Sequence, residues 1–208
     1  VGAAAQYNNA DEGWGLPLFK SVAGCPDLSW HIIEALVEAE FDITTCQEML
    51  IDHALSIPLE LSWPNAETFD FKLVPVGINT VQHPLPSPKR ALALGRAVGK
   101  AIENWESDAK VVIFGTGGLS HQLDGERAGF MNPEYDTFCL DNLPGNPDAL
   151  TKHSAHDVVE LSGSQGIEIL NWIAARGAMG EGVREAARNY HIPISNTAAA
   201  TVLMVKDR

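Results

Sequence analysis

The sequence predicts an α/β fold, namely a single-domain αβα-type sandwich with a mostly parallel or mixed central sheet. The chain has 208 residues, which is enough for one domain with a substantial core. Apolar runs typical of buried strands alternate along it with stretches of helical periodicity. Glycine and proline separate these segments, as expected for short loops between strands and helices. We therefore expect residues 1–208 to form one domain.

The first 40 residues combine an irregular start with a helix. Residues 1–25 have no clear period and are predicted to be irregular, with a tight acidic turn at residues 11–15. Pro26 and Asp27 then open an amphipathic helix over residues 26–40, because proline and aspartate both favour the first helical turn.

The next stretch is predicted to contain two strands separated by loops. Residues 41–46 are predicted to be a short strand, and the Asp52-His53 pair to lie in the loop that follows. Residues 69–78 alternate and then become continuously apolar, which indicates a buried strand. The prolines of residues 82–86 exclude regular structure there.

The middle of the chain predicts a helix, a strand and a glycine-rich turn in succession. Ser87 and Pro88 cap a helix that runs to about Trp105. Residues 111–114 are a compact apolar strand, which ends in the glycine-rich turn of residues 115–118.

The last third is predicted to be helical until a final strand. Helices are expected near residues 133–143, 165–176 and 180–190, with Gly177 ending the second of them. Residues 198–205 are predicted to form the last strand.

Composition excludes several classes of function. The formal charge is 14 − 27 = −13, so the chain lacks the basic surface that binds a phosphate backbone, and we expect no nucleic-acid partner. No apolar run is long enough to span a membrane, and no export signal opens the chain. Three dispersed cysteines fit neither a disulfide framework nor a thiolate metal cluster, so we expect a cytoplasmic protein.

His121 is the strongest candidate for chemistry. It follows a predicted buried strand and a glycine-rich turn, where the backbone can approach a ligand closely and project the next side chain into a cleft. A histidine in that position can transfer a proton near neutral pH. The alternative is a loop histidine that only bonds the turn.

Five further candidate residues, at three places in the chain, have open alternatives. His53 follows Asp52 and is either an oriented imidazole, a metal ligand or part of a turn. Glu168 opens an apolar helix as either a metal ligand or a carboxylate at the positive helix end. Residues Ser195, Asn196 and Thr197 present groups that can bind an anion, but they also have ordinary turn composition.

Two catalytic arrangements follow from the residues alone. His53, His121 and Glu168 have the ligand types of a two-histidine, one-carboxylate iron site. Ser120 beside His121 suggests a hydrolase instead, although sequence neighbours rarely orient properly for that task and no partner acid is evident.

An ordered set of segments resembles the class III extradiol ring-cleavage dioxygenases, in particular the protocatechuate 4,5-dioxygenase β subunit and gallate dioxygenase. The most specific segment is Gly-Gly-Leu-Ser-His at residues 117–121. It lies within a longer matching segment at residues 115–123, and the others, in chain order, are residues 10–15, 52–53, 125–130, 166–168, Trp172, 176–178 and 190–197.

The resemblance implies roles for the candidate residues. Glu168 matches the family's iron-binding glutamate, and His121 matches the acid/base histidine beside the metal. His53 matches an active-site histidine that faces substrate and oxygen, so both histidines move off the metal. Residues 195–197 match the region that receives the substrate carboxylate.

The implied enzyme uses Fe(II) to insert both atoms of O2 into a carboxylated catechol, with meta cleavage of the ring. The implied partners are a small aromatic substrate, O2, a small helical partner subunit and further copies in an oligomer. The family's two iron-binding histidines precede the segment at residues 10–15, so we expect a chain truncated before its first strands and lacking both ligands. A metal-free binding or regulatory homologue on the same fold is the alternative.

Overall fold

Residues 1–12 and 21–207 are described by a computed structural model, in which the chain divides into two units. Unit 1 comprises Val1–Gly77 and Ala101–Asp108, and unit 2 comprises Ile78–Lys100 and Ala109–Arg208. Each of the two has its own buried apolar cluster. The single catalytic domain expected over residues 1–208 stays a prediction.

Unit 1 contains a small mixed sheet and two helices. The strands are β1 (Gln6–Asn9), β2 (Ser21–Ala23) and β3 (Leu50–Ile51), and the helices are α1 (Pro26–Glu38) and α2 (His53–Ser62). In the sheet β1 lies in the middle, antiparallel to β2 and parallel to β3. Its core consists of the following side chains: Ala4, Tyr7, Val22, Ile51 and Leu59.

Unit 2 contains most of the helices and a β-hairpin. The helices are α3 (Pro88–Glu103, whose last turn from Ala101 belongs to unit 1), α4 (Pro133–Asn142), α5 (Ala155–Ser162) and α6 (Ile169–Ala178). Two short 3-10 helices occupy Pro147–Lys152 and Gly166–Glu168. The hairpin pairs β4 (Val183–His191) with β5 (Ala199–Lys206) in antiparallel fashion.

The core of unit 2 surrounds the segment that follows the glycine-rich turn. Leu119 is 2 % exposed and packs with Leu140, Leu143, Ile167 and Leu170, which are buried side chains of α4, α6 and the turns beside them. The backbone after the turn is therefore fixed by packing on several sides.

Several predicted elements are confirmed. The α/β class is confirmed, because each unit contains both helices and a small sheet. The helices predicted near residues 26–40, 88–105, 133–143 and 165–176 correspond to α1, α3, α4 and α6, and the last predicted strand corresponds to β5. The layered sandwich with one central sheet stays a prediction.

The helix predicted over residues 180–190 is wrong, because this segment is strand β4. Its residues are good helix formers, but the strand pairs with β5 from Val183 to His191. A shift in register at Glu185 and Ala187 accommodates the irregular alternation of its side chains. Tertiary pairing therefore overrides local helix propensity here. The stop expected at Gly177 is also displaced, since α6 continues to Ala178.

Three predicted strands in the described residues are wrong. Residues 41–46 contribute one bridge, from Cys46 to Gly2, and residues 69–78 contribute one, from Leu73 to Gly24. Pro75 has no N–H with which to continue a ladder. Residues 111–114 do not join a β-ladder within the described residues, and Val112 is 65 % exposed.

The start of the chain is more regular than predicted. Strands β1 and β2 lie within residues 1–25, where short strands rich in alanine and asparagine give a weak sequence signal. The loop expected around Asp52 is in fact the beginning of α2. The predicted acidic turn at residues 11–15 extends beyond Glu12 into residues that lie outside the described ranges. Among the described residues, no helix has the length and apolar character needed to cross a bilayer.

Candidate active site

The His121 side chain lies in unit 2 in a fixed orientation. It is 5 % exposed, and its Nδ1 lies 2.8 Å from the carbonyl oxygen of Leu119. Because a carbonyl oxygen can only accept, Nδ1 carries a proton and donates it to this bond. In the neutral ring Nε2 is then the unprotonated nitrogen. Nε2 is therefore the atom of His121 that can accept a proton from a ligand.

The backbone of His121 is clamped between the end of α5 and the 3-10 helix that follows. Its N–H donates to the Ser162 carbonyl at 2.8 Å, and its own carbonyl accepts from the Gly166 N–H at 3.2 Å. Gly163 passes so close that a Cβ there would lie 2.2 Å from the His121 carbonyl oxygen, and its φ is +88°. A glycine is thus required for the chain to close around His121.

The glycine-rich turn lies between three of the predicted site residues. A Cβ on Gly117 would lie 2.7 Å from the Glu168 Cβ. A Cβ on Gly118 would lie 2.7 Å from His121 Cε1 and 3.0 Å from Thr197 Cγ2. The turn therefore lacks side chains where these three residues approach it.

Glu168 ends the 3-10 helix Gly166–Glu168 and stands at the N-terminus of α6. Its Oε2 accepts a hydrogen bond of 2.7 Å from the Gly118 N–H. One turn further along the helix, the Trp172 indole N–H donates to the Gly117 carbonyl at 3.1 Å. The carboxylate is favourably placed at the positive end of the helix, and the turn is bonded to α6 twice.

Residues 195–197 lie in the connection between β4 and β5. Thr197 forms an antiparallel bridge with His121, whereas Ser195 and Asn196 are exposed. Asn196 has a φ of +59°, and its side chain lies 3.7–3.9 Å from where a Cβ on Gly129 would be. The predicted substrate-binding run thus begins at the surface and ends beside His121.

His53 lies in unit 1 as the first residue of α2. Its Nδ1 is 2.7 Å from Glu12 Oε1, and its backbone N–H donates to Glu12 Oε2 at 2.6 Å. The neighbouring Asp52 caps the same helix by accepting from the Ala54 N–H at 3.1 Å. Two carboxylates therefore satisfy N–H groups that the start of a helix leaves unpaired.

The structure brings His121, Glu168 and Thr197 together around the turn of residues 115–118, all within unit 2. Asn196 lies next to Gly129 and Ser195 is at the exposed tip of the same connection. His53 belongs to unit 1.

Sequence reasoning missed Asp136, which is 1 % exposed in α4. Its Oδ1 accepts from the Ser120 N–H at 2.8 Å and its Oδ2 from the Ser120 hydroxyl at 2.7 Å. The signal was present, because Asp136 shares a helical face with the buried Leu140 and Leu143. The bond also weakens the hydrolase hypothesis, since the fully buried Ser120 hydroxyl donates to Asp136.

The described residues do not form a complete iron site. Among residues 1–12 and 21–207, no three histidine, cysteine, aspartate or glutamate side chains are grouped as metal ligands. Glu168 supplies one suitable oxygen ligand, and a facial-triad site requires two imidazoles beside it. The two-histidine, one-carboxylate set of His53, His121 and Glu168 is therefore not assembled as a metal centre.

Comparison with known proteins identifies one matching family model. The family described as the catalytic LigB subunit of aromatic ring-opening dioxygenase matches residues 1–201. Gallate dioxygenase from Pseudomonas putida is 36 % identical over 195 residues, which cover 94 % of this chain and 57 % of that enzyme.

More distant similarity extends to enzymes with a different substrate. The 2,3-dihydroxyphenylpropionate/2,3-dihydroxicinnamic acid 1,2-dioxygenase from Paraburkholderia xenovorans is 26 % identical over 213 residues, which cover 81 % of this chain and 66 % of that enzyme. The enzyme of the same name from Photorhabdus laumondii is 34 % identical over 105 residues, half of this chain. The chain thus spans less than two thirds of the length of these relatives.

Proposed function

Because this chain belongs to the LigB family of catalytic subunits of aromatic ring-opening dioxygenases, we propose that it is the catalytic part of an extradiol dioxygenase. The proposed reaction uses Fe(II) to insert both atoms of O2 into a carboxylated catechol of the gallate or protocatechuate type, with meta cleavage. A relative named gallate dioxygenase supports this substrate class, since it aligns with 94 % of the chain.

One observation carries the proposal, namely the convergence of the His121 imidazole, the Glu168 carboxylate and the Thr197 side chain on Gly117 and Gly118. His121, Glu168 and Thr197 each approach Gly117 or Gly118 closely enough that a Cβ would collide with them. A proton-transfer group and a potential metal ligand thus lie against the same short turn, close enough to act on one small ligand.

We assign the acid/base role to His121. Its Nδ1 is engaged by Leu119, so Nε2 takes a proton from a catechol hydroxyl and returns one later in turnover. Burial of the ring holds Nε2 in one direction and limits exchange with bulk water. Each turnover needs both transfers, which a single neutral imidazole can perform.

Glu168 is proposed as the one iron ligand that the described residues supply. Its Oε2 is held by the Gly118 N–H, which orients the carboxylate and leaves Oε1 for a metal ion. A bound ferrous ion would supply redox chemistry and an open position for oxygen. Because the described residues do not complete its site, the roles assigned here concern only protons and orientation.

The substrate carboxylate is proposed to bind at residues 195–197. Hydroxyl, amide and backbone N–H groups of a turn can surround an anion, and Thr197 brings this run next to His121. We propose that His53 hydrogen-bonds the substrate or oxygen.

The test measures oxygen consumption by the full-length protein supplied with ferrous iron and either gallate or protocatechuate. We expect stoichiometric oxygen uptake and an open-chain, ring-cleaved product. The Glu168→Gln variant should lose bound iron in metal analysis, while Glu160→Gln, at an exposed glutamate, should retain it. Absence of oxygen uptake by an iron-loaded wild type would overturn the proposal.

A metal-free binding homologue on the same fold is the second candidate. It predicts that the full-length protein binds gallate in calorimetry but neither retains iron nor consumes oxygen. The same two measurements therefore separate the candidates.

Further features of the whole enzyme remain proposals. We expect an αβα sandwich, a small helical partner subunit, an oligomer and a cytoplasmic setting, the last of which agrees with three free cysteines in the described residues.

A further inference from the structure

We infer that Asp136 is a positioning residue that keeps the His121 segment and the strand leading to residues 195–197 in one fixed register. This inference rests on the proposed function, because it concerns how the proposed acid/base group and substrate-binding run are held together.

Asp136 holds the residue immediately before His121. Its two carboxylate oxygens accept the N–H and the hydroxyl of Ser120, at 2.8 and 2.7 Å. Ser120 lies between Leu119, whose carbonyl accepts the His121 ring, and His121 itself. Movement of Ser120 therefore changes the only bond that fixes the imidazole within the described residues.

The same carboxylate also holds strand β4. The Tyr190 hydroxyl donates to Asp136 Oδ2 at 2.8 Å, and Tyr190 is the last residue but one of that strand. Beyond it the chain passes through residues 195–197 and returns to pair with Ser120 and His121. Thr197 bridges His121 and the Ala198 N–H donates to the Ser120 carbonyl at 3.2 Å.

The hydrogen bonds around Asp136 supply the donors that a buried carboxylate requires. Asp136 is 1 % exposed and forms no salt bridge among the described residues, so its charge is balanced by three N–H and O–H donors. Burial, together with the bond to Asp136, raises the pKa of the Tyr190 hydroxyl. The tyrosine therefore stays protonated and continues to donate.

The direction of these bonds favours aspartate over asparagine. The Ser120 hydroxyl oxygen accepts the Asn132 N–H at 2.7 Å, so its own proton must go to Asp136. Asparagine has one carbonyl oxygen in place of two carboxylate oxygens. In one orientation the asparagine NH2 group would face the Ser120 N–H, and in the other it would face the hydroxyls of Ser120 and Tyr190. Either orientation loses at least one of the hydrogen bonds that Asp136 accepts.

The experiment uses the full-length enzyme and compares two tyrosines. Tyr190→Phe removes the hydroxyl that reaches Asp136. Tyr135→Phe is the matched control, because its buried hydroxyl lies in the same unit and is paired with Cys139 instead. We expect Tyr190→Phe to lower kcat about 10-fold with a smaller change in KM, and Tyr135→Phe to leave both unchanged.

A second measurement does not depend on turnover. Long-range 15N–1H NMR correlations report which ring nitrogen of His121 carries the proton. We expect the Nδ1–H form in wild type and in Tyr135→Phe, and a mixture of ring states in Tyr190→Phe and Asp136→Asn. If Asp136→Asn fails to fold, Tyr190→Phe still provides the test.

The outcomes separate this inference from the proposed function. An inactive, iron-loaded wild type would refute the function, and the NMR comparison would still test the positioning. If Tyr190→Phe behaves like Tyr135→Phe in both kcat and ring state, the positioning role of Asp136 is refuted, whatever the change in thermal stability.

Discussion

The two candidate histidines are anchored through the same ring nitrogen in opposite surroundings. His121 Nδ1 donates to a neutral carbonyl two residues away inside unit 2. His53 Nδ1 contacts the Glu12 carboxylate, 41 residues away in the chain, and the His53 side chain is 54 % exposed. The orientation of His121 is therefore set by buried packing and backbone, while that of His53 depends on a charged contact open to solvent and salt.

The difference predicts which histidine tolerates replacement. A side chain that transfers protons from a fixed, buried position should be essential, whereas one held by an exposed contact should adjust the rate more gently.

The largest expected effect is the loss of turnover in His121→Phe. In the full-length enzyme kcat should fall about 100- to 10,000-fold, because phenylalanine cannot accept a proton, while iron and substrate are still bound. His53→Phe should lower kcat by only about 10-fold, which is below the range for a proton-transfer group. Steady-state kinetics with metal analysis checks this pair, and equal losses would break the comparison.

The next effect concerns the rigidity of the frame around His121. Gly163→Ala places a Cβ 2.2 Å from the His121 carbonyl at a φ of +88°. Unfolding free energy should fall by about 2–4 kcal/mol, measured by urea denaturation and circular dichroism. Gly145→Ala is the control, because no atom lies within 4 Å of the added Cβ. Similar losses in both variants would contradict a tightly closed backbone.

A smaller effect is expected at the surface contact of His53. Glu12→Gln should lower the unfolding free energy by no more than about 1 kcal/mol, since solvent-exposed contacts of a carboxylate contribute little. A double-mutant cycle with His53→Gln should give a coupling that disappears in about 1 M salt, where the screening length is about 3 Å. A coupling that survives salt would show that this contact is as well shielded as the one at His121.

The smallest effect concerns α5, whose end accepts the His121 N–H. Bonds from the Ser154 backbone N–H and hydroxyl lower the pKa of Asp157 in the capping box. A lowered folded pKa stabilises the protein above the unfolded value of about 3.9, and this contribution is lost as pH falls through the folded value.

Asp157→Asn should therefore lower Tm near neutral pH, by an amount that shrinks in acid. Thermal melts between about pH 3 and pH 7 check the trend, with the exposed Asp108→Asn as control. A Tm difference that does not change with pH would exclude the carboxylate as the source.

The His121 region was predictable because several local signals agree there. A glycine-rich turn followed by a histidine predicts a side chain close to the backbone of the turn, and His121 lies against Gly118. The strand predicted for the preceding apolar run is wrong, so the glycines and the histidine carry the signal. That Glu168 lies beside the same turn was implied only by the family resemblance, since 50 residues separate it from Gly118. The roles of these residues remain predictions.

Other features depend on partners that are distant in the chain, and the sequence did not predict them. Strand β4 has helix-forming residues, and only its pairing with β5 makes it a strand. Asp136 resembles an ordinary helical aspartate until Ser120 and Tyr190 are seen to donate to it. Asp52 and His53 suggested a loop because the Glu12 carboxylate that helps to start α2 lies 41 residues earlier.

The bond from the Trp172 indole to the Gly117 carbonyl gives the protein an intrinsic optical reporter. The indole is 8 % exposed and touches the same turn as Glu168, so its emission should respond when a metal ion or an aromatic molecule binds there. The chain has five tryptophans, and the spectrum of Trp172→Phe subtracted from that of wild type isolates this signal. Occupancy of the turn can then be followed in real time without a labelled ligand.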